Sequence, residues 1–326
     1  MAAGVGEKGL VTVFGGAGFL GRHVVRALAA RGWRIRAACR RPDLAGHLQP
    51  MGGVGQIHAV QANLRDAASV RQAVEGADAV VNLVALLAPS GRQTFAAVHV
   101  DGARHVAEAA RAAGAKTFVH VSAIGADARS RAAYGRTKAQ GEAAVLKAFS
   151  SAIIIRPSIL FGPEDQFFNR FAAMAQVAPA LPLIKGGTRF QPVYVADVAA
   201  AITNAVEGAG KPGTIYEAGG PEVLTFRQLM ERTLAYSGRR RCLLPVPSFA
   251  AKLGAVLTKP LPNALRPITV DQVRLLAVDN VVSEAALREG RTLAALGVAE
   301  PHAIASVVPG YLEQYKPDGQ FSHYRG

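Results

Sequence analysis

The residues that could do chemistry sit in two short runs. The first is Phe14-Gly15-Gly16-Ala17-Gly18-Phe19-Leu20-Gly21, with Gly15, Gly18 and Gly21 in a GxxGxxG spacing. An apolar run, Leu10–Phe14, precedes it, and a stretch of helical periodicity, Leu20–Arg31, follows it. A glycine-rich turn between strand and helix lets the backbone approach a pyrophosphate, and the free N–H groups at the helix start attract its charge. Gly15, Ala17, Gly18, Phe19, Leu20 and Gly21 are therefore candidate dinucleotide-binding residues. The alternative is a glycine turn with no ligand, and the correct flanks on both sides argue against it. The second run is Tyr134-Gly135-Arg136-Thr137-Lys138, which puts Tyr134 and Lys138 at i and i+4 on one helix face. An ammonium beside a phenol favours phenolate and should lower the tyrosine pKa. Tyr134 is thus a candidate general acid or base, and Lys138 a candidate to hold the nicotinamide ribose.

Cofactor choice is read at the end of the second strand. A carboxylate there would bond a ribose 2′-hydroxyl, whereas arginine accepts a 2′-phosphate. The chain has Cys39-Arg40-Arg41 and no acid until Asp43. Guanidinium groups match phosphate in bidentate geometry, so Arg40 and Arg41 favour NADP(H) over NAD(H). The competing reading is that both arginines are solvated surface charges.

These residues need a scaffold, and the hydrophobic pattern supplies one. Strands are expected at Leu10–Phe14, Arg34–Ala38, Gln56–Val60, Ala79–Leu83, Thr117–Ser122 and Ala152–Arg156. Helices are expected at Leu20–Arg31, Ala67–Val74, Asp101–Ala113 and Tyr134–Ala148. Alternation at this spacing indicates βαβ units, and strands apolar throughout indicate a parallel sheet covered on both faces. The expected fold is α/β: a doubly wound parallel sheet, Rossmann-like, with a smaller C-terminal substrate or partner domain. The expected boundaries are 8–162 for the dinucleotide domain and 163–326 for the smaller one, leaving open whether 192–217 returns to the first. Beyond Gly162, helices are expected at Phe167–Ala178, Asp197–Val206 and Leu224–Ser237, the last with Thr225 as a cap. Short strands are expected at Pro192–Val195 and Thr214–Glu217, and Gly186–Gln191 reads as turns.

With the two runs in place, further motifs carry a family resemblance. Asn63-Leu64-Arg65-Asp66 follows the third strand, Val84-Ala85 follows the fourth, and Arg156-Pro157-Ser158-Ile159-Leu160-Phe161-Gly162 follows the helix that carries Tyr134. Together with GxxGxxG and YxxxK, they resemble the extended short-chain dehydrogenase/reductase superfamily along nearly the whole chain. The stretches RPSILFGPEDQFFN from Arg156, QPVYVADV from Gln191, Leu244-Pro245-Val246-Pro247 and Asp279-Asn280-Val281-Val282 are similar to an atypical branch. That branch contains the NADPH-binding accessory subunit of respiratory complex I (NADH:ubiquinone oxidoreductase) and bacterial relatives. The resemblance implies that Asn63, Leu64, Val84, Ala85, Pro157 and Ile159 also line the cofactor. It implies a tightly held dinucleotide with a structural role, in an accessory or assembly protein associated with complex I. The alternative is an active NADP-dependent oxidoreductase or epimerase on a nucleotide sugar, steroid-like or quinone-like substrate. Active extended members carry a catalytic Ser or Thr one or two places past the first Ser of the fifth strand. Here Val121-Ser122-Ala123-Ile124 offers only Ser122, with 11 residues between it and Tyr134. Ser122, Tyr134 and Lys138 are the candidate catalytic set, and Ser122 reads equally as a strand-end hydroxyl bonding the backbone.

The remaining features narrow the function classes. At 326 residues, 50% hydrophobic and 18% charged, the chain is long and apolar enough for two folded domains and excludes wholesale disorder. Two distant cysteines, Cys39 and Cys242, exclude a disulfide scaffold and fit a reducing compartment. His99, His105 and His120 lack metal-ligand spacing and read as satisfied or exposed, so no metal is expected. Glu164 and Asp165 read as substrate contacts or a solvated loop, and Asp197 as a helix-start carboxylate. The net charge is +14, which attracts anionic partners without naming one. Residues 237–274 hold seven Lys or Arg, one acid and five prolines. Within them Phe249, Leu253, Val256 and Leu257 share a helix face flanked by Lys252 and Lys259, after Arg239-Arg240-Arg241. Such a helix either lies on an anionic membrane surface or packs on the core. Nucleic acid is not expected, because no reader motif or aromatic-interleaved basic platform occurs. No apolar run spans a bilayer and no signal peptide is evident, so the expected location is cytoplasmic, peripheral on the inner face of the cytoplasmic membrane.

Overall fold

The computed structural model describes residues 8–258, 268–317 and 319. Lys259, one flank of the basic helix, lies outside the described residues. Along the chain run β1 (Leu10–Phe14), α1 (Phe19–Ala30), β2 (Arg34–Cys39), β3 (Ile57–Gln61), α2 (Ala67–Val74) and β4 (Ala79–Asn82). Then come α3 (Ala103–Ala112), β5 (Thr117–Val121), α4 (Ala133–Ala148), β6 (Ile153–Pro157), β7 (Leu160–Phe161), α5 (Phe168–Val177), β8 (Ala180–Ile184), β9 (Arg189–Phe190) and β10 (Val193–Tyr194). They are followed by α6 (Val195–Val206), β11 (Ile215–Ala218), β12 (Leu224–Thr225), α7 (Phe226–Tyr236), β13 (Cys242–Val246), α8 (Ser248–Leu257), α9 (Val270–Leu275), α10 (Glu284–Arg288) and α11 (Ile304–Leu312).

Two compact units form. One holds the chain up to Pro157 with Ala196–Ala218 and Ser283–Ala299; the other holds Ser158–Val195, Gly219–Val282 and the chain from Glu300. The first is built on a seven-stranded sheet in the order β11-β6-β5-β4-β1-β2-β3. Every neighbouring pair in it is parallel. The order reverses between β1 and β4, the switch point at which doubly wound sheets bind ligands beyond their strand ends. All four residues of β4 are buried, as are the last four of β1 and of β5, as a sheet covered on both faces requires. Phe14, Val80, Phe118 and Ile154 meet Val70, Val106 and Val145 of the helices in one core.

The second unit has its own core around Phe161, Phe168, Leu181, Phe190, Phe226, Met230 and Ile304. Thr225 caps α7 with a full capping box to Gln228, as its residue type predicts. Four features of this unit differ from the pattern. β10 joins β7 in a separate two-stranded ladder, and Gly186–Gln191 contains β9, which pairs with β12. β8 and β13, which the pattern did not reveal, pair in parallel; each carries a proline (Pro182, Pro245), which breaks a strand signal in sequence. Asp165 is no solvated loop residue. It is buried, accepts N–H groups of Gly162, Phe167 and Asn169, and takes the Tyr311 hydroxyl from α11. Burial pushes its carboxyl up and the Tyr311 phenol up as well.

In the first unit, Arg156 of β6 lies between two buried carboxylates. It makes a bidentate pair with Glu142 of α4, at 2.8 and 2.6 Å, and stands 3.6 Å from Glu217 of β11. Glu217 also accepts the Ser283 N–H at 2.7 Å. Arg156→Met should lower unfolding free energy by about 3–5 kcal/mol, because it strands two buried charges. Urea denaturation reads this directly, and a loss below about 1 kcal/mol would show the network to be dispensable.

Candidate functional site

The β1–α1 turn has the shape of a phosphate cradle. Gly15 sits at φ +81°, a conformation that favours glycine, and its N–H bonds the Ala38 carbonyl at 2.9 Å. A Cβ on Gly21 would collide with the carbonyls of Gly15 and Gly16, so glycine is what lets α1 start against the turn. Gly18 caps α1 without a side-chain bond, and no acid occupies the first turn. The N–H groups at this end therefore face no competing carboxylate. Val84 borders the turn, 3.3 Å from where a Gly15 Cβ would stand. Its N–H bonds Asn82 Oδ1 at 3.2 Å, and Asn82 Nδ2 reaches His120 Nδ1 at 3.2 Å. Burial, with the Lys138 charge, holds His120 well below the usual imidazole range, so it stays neutral and accepts.

The second-strand arginines are both exposed. Arg41 makes a forked pair with Asp43, Nε to Oδ1 at 3.0 Å and Nη2 to Oδ2 at 2.8 Å. Of the residues that the family pattern adds, Asn63 turns the loop after β3 by accepting the Arg65 N–H at 3.2 Å. Leu64 is buried in the core, and its carbonyl accepts from His105 Nδ1 at 2.8 Å. Pro157 accepts the Ile124 N–H at 3.0 Å. Ile159 lies in the second unit and is partly buried against that unit's core.

The tyrosine–lysine helix is α4, as the spacing predicts. Lys138 is buried and its Nζ donates to the Val121 carbonyl at 3.0 Å. That carbonyl immediately precedes Ser122, so the structure brings Lys138 and Ser122 to one strand end. Burial pushes Lys138 down to about 8. Tyr134 is half-buried, with its ring 5.4 Å from His99 and 6.0 Å from Phe95, edge-on to both. Its pKa runs opposite to the sequence expectation: burial pushes the phenol up to about 12. Burial penalises the charged phenolate, and Tyr134 keeps its proton at neutral pH. Ser122 also departs from its bland reading. Its hydroxyl is buried and makes no hydrogen bond, so it does not serve the strand-end backbone.

One support was not legible as such. A π-helical turn, Ala96–Gly102, precedes α3. Its His99 accepts the Leu86 N–H on Nε2 at 2.9 Å and faces Thr137 Oγ1 through Nδ1 at 3.0 Å. Thr137 donates onward to the Ala133 carbonyl at 2.8 Å, which fixes the Nδ1–H tautomer. Burial, then the Lys138 charge, pushes His99 down to about 3. Gly141 allows this packing, since a Cβ there would strike the His99 carbonyl. The only trace in sequence is a threonine inside YxxxK and a histidine among apolar residues. Among the described residues, no group of three or more His, Cys, Asp or Glu could hold a metal.

The residues fit a dinucleotide on two counts: a cradle that a Cβ would fill, and an orphaned buried hydroxyl beside the Tyr134–Lys138 helix. Known proteins agree on the fold. The mitochondrial NADH dehydrogenase (ubiquinone) 1 alpha subcomplex subunit 9 of Arabidopsis thaliana is 34% identical over 326 residues, covering 95% of this chain and 79% of that protein. Ceramide reductase of Caulobacter vibrioides is 36% identical over 195 residues, 60% of each. The crystal structure of the NADPH-dependent quinone oxidoreductase of Escherichia coli, complexed with NADPH, superposes with a TM-score of 0.71. It is 22% identical and covers 93% of this chain and 99% of that one. Residues 11–219, more than half of the chain, match the family described as NAD dependent epimerase/dehydratase. With that match, a parallel sheet of this order and a glycine cradle at its switch point, the chain belongs to the NAD dependent epimerase/dehydratase family.

Proposed function

We propose that this protein holds NADP(H) as an accessory or assembly subunit of a respiratory complex I, on the inner face of the cytoplasmic membrane. Likeness to the plant subunit along 95% of the chain carries the reading. Gly15, Ala17, Gly18, Phe19, Leu20 and Gly21 hold the pyrophosphate by backbone contact. Arg40 meets the 2′-phosphate, and Arg41 trades its exposed Asp43 partner for the same group. Asn63, Leu64, Val84 and Ala85 line the adenosine and central portions, and Pro157 the nicotinamide. When bound, the dinucleotide supplies a transferable hydride. Around it Lys138 supplies a cation and Tyr134 a protonated phenol. Among the described residues, no helix is long and apolar enough to cross a membrane.

A second reading keeps the site active, as an NADP-dependent oxidoreductase or epimerase. It is favoured by the unpartnered Ser122 hydroxyl and by the ceramide reductase relative. Tyr134, protonated at neutral pH, would then give its proton to a developing alkoxide as a general acid, with Ser122 donating to the same oxygen.

Affinity purification of the tagged full-length chain from solubilised membranes separates the two. Recovery of NADH:quinone oxidoreductase subunits supports the accessory role. Their absence, with steady NADPH turnover on a carbonyl, quinone or sugar-nucleotide panel, supports the enzyme. Calorimetry should find NADPH bound more tightly than NADH, and Arg40→Ala should shrink the gap by about tenfold or more, equivalent to roughly 1.5–3 kcal/mol for a charge-assisted contact. Equal wild-type affinities would remove the arginines from the argument. Lys138 adds a pH signature. Its folded pKa of about 8 lies below the ordinary 10.5, so between those values the unfolded chain binds the extra proton. Stability should therefore gain a rising contribution from pH 8 to 10.5, which Lys138→Met should abolish. Parallel stability–pH curves for the two proteins would contradict the burial of this ammonium.

A further inference from the structure

We propose that α8 docks this protein onto an anionic lipid surface through Phe249, Leu253, Val256 and Leu257. The helix is built inside out. Its buried positions are the small residues Ala251 and Ala255, and Ala251 packs with Ile184 and Val273. Its large apolar residues face away: Phe249 is 75% exposed, Leu253 59%, Val256 55% and Leu257 70%. At 3.6 residues per turn these four form one stripe, opposite the two alanines. An ordinary surface helix buries its large residues and exposes small or polar ones. This one presents a continuous apolar stripe to the outside, which marks an interaction face rather than scattered surface hydrophobes.

Charge decides which occupant fits. Residues 237–274 carry seven cations against one acid. Lys252 lies beside the stripe, one residue from Leu253 and three from Phe249, and is exposed. Arg240 is exposed as well. Arg239 and Arg241 donate to the carbonyls of Tyr315 and Ala175, at 3.1 and 2.9 Å, and so belong to the fold. An apolar stripe flanked by the exposed Lys252, on a chain of net charge +14, matches acyl chains beneath anionic headgroups. A bilayer also asks for no shape complementarity, and among the described residues the stripe offers no polar side chain for directional pairing. At ten residues, α8 is too short to span a bilayer, and its stripe suits a helix lying in the interface. The strand β13, directly before it, is paired with β8 and holds the helix on a fixed base.

The test is flotation of the full-length chain with vesicles of phosphatidylcholine alone or with added phosphatidylglycerol. It contains only lipid, so its failure leaves the purification result above standing. The wild type should float with anionic vesicles at low salt, weakly with neutral ones, and lose binding at high salt. Phe249→Glu with Leu253→Glu should weaken binding about tenfold or more, from the lost apolar burial. Lys252→Gln should weaken it about fivefold. Both apolar positions are more than half exposed, so thermal unfolding should stay at the wild-type temperature. Phe249→Trp should add a blue-shifted emission on anionic vesicles, whatever the fate of the charged variants. Three results overturn the proposal: no flotation with anionic vesicles at low salt, flotation indifferent to Phe249→Glu with Leu253→Glu, or sedimentation showing that the stripe joins two copies of this chain while vesicles remain unbound.

Discussion

A buried ammonium on α4 is the constraint that the nucleotide-binding unit is built to meet. Lys138 has lost its water, and burial pushes its pKa down to about 8. Two groups compensate: the Val121 carbonyl takes one N–H, and Glu142, one turn on, supplies an opposing charge. Glu142 is in turn held by Arg156, and Arg156 by Glu217. Tyr134, Lys138 and Glu142 recur every four residues along α4, so one helix face carries both the candidate chemistry and the charges that stabilise it. β6 and β11 enter the same network, which is why the strand returning at 215–218 matters to a site made from residues 122–138.

The same helix is fixed from its other side by packing and neutral hydrogen bonds. Gly141 brings α4 onto the carbonyl of His99, and His99 bonds Thr137. Because His99 is held neutral, with burial pushing it down to about 3, this contact does not change over the physiological range. The π-helical turn supplies the geometry: an extra residue in the turn re-aims the chain so that His99 reaches both Leu86 and Thr137. Tyr134 therefore rests against rings on a rigid wall, and its raised pKa follows from that dry setting.

The scaffold was legible in the sequence because its signals are local. A strand, a glycine turn and a helix start are each set by neighbouring residues, and β1, β4, β5 and α2 fall within a residue of the pattern. The αβ alternation then leaves little choice of sheet order. Signals that depend on distant partners were not legible. β8 and β13 pair across 62 positions, Ala180 to Cys242, and each hides behind a proline. Asp165 looked like loop because nothing nearby announces Tyr311, 146 residues on. The direction of the Tyr134 shift was missed for the same reason. Spacing reveals the ammonium, whereas burial by Phe95 and His99 is a tertiary fact. For α8 the sequence showed a stripe and cations, and only the fold decided which side was out.

The cost of the site bears on what it is for. A buried hydroxyl without a partner costs on the order of 1–3 kcal/mol, and a desolvated ammonium adds to that. A fold under selection for stability alone would fill Ser122 with alanine and Lys138 with an apolar residue. A ligand that supplies the missing partners recovers this energy only in the folded state, so its occupancy is coupled to stability. That coupling serves either reading. In an accessory subunit the dinucleotide becomes a structural element, and loss of the ligand loosens the unit that a partner must grip. In an enzyme the same unsatisfied groups are preorganised for a substrate oxygen. The two readings therefore share one expensive site and part only at what reaches Ser122 beyond the cofactor.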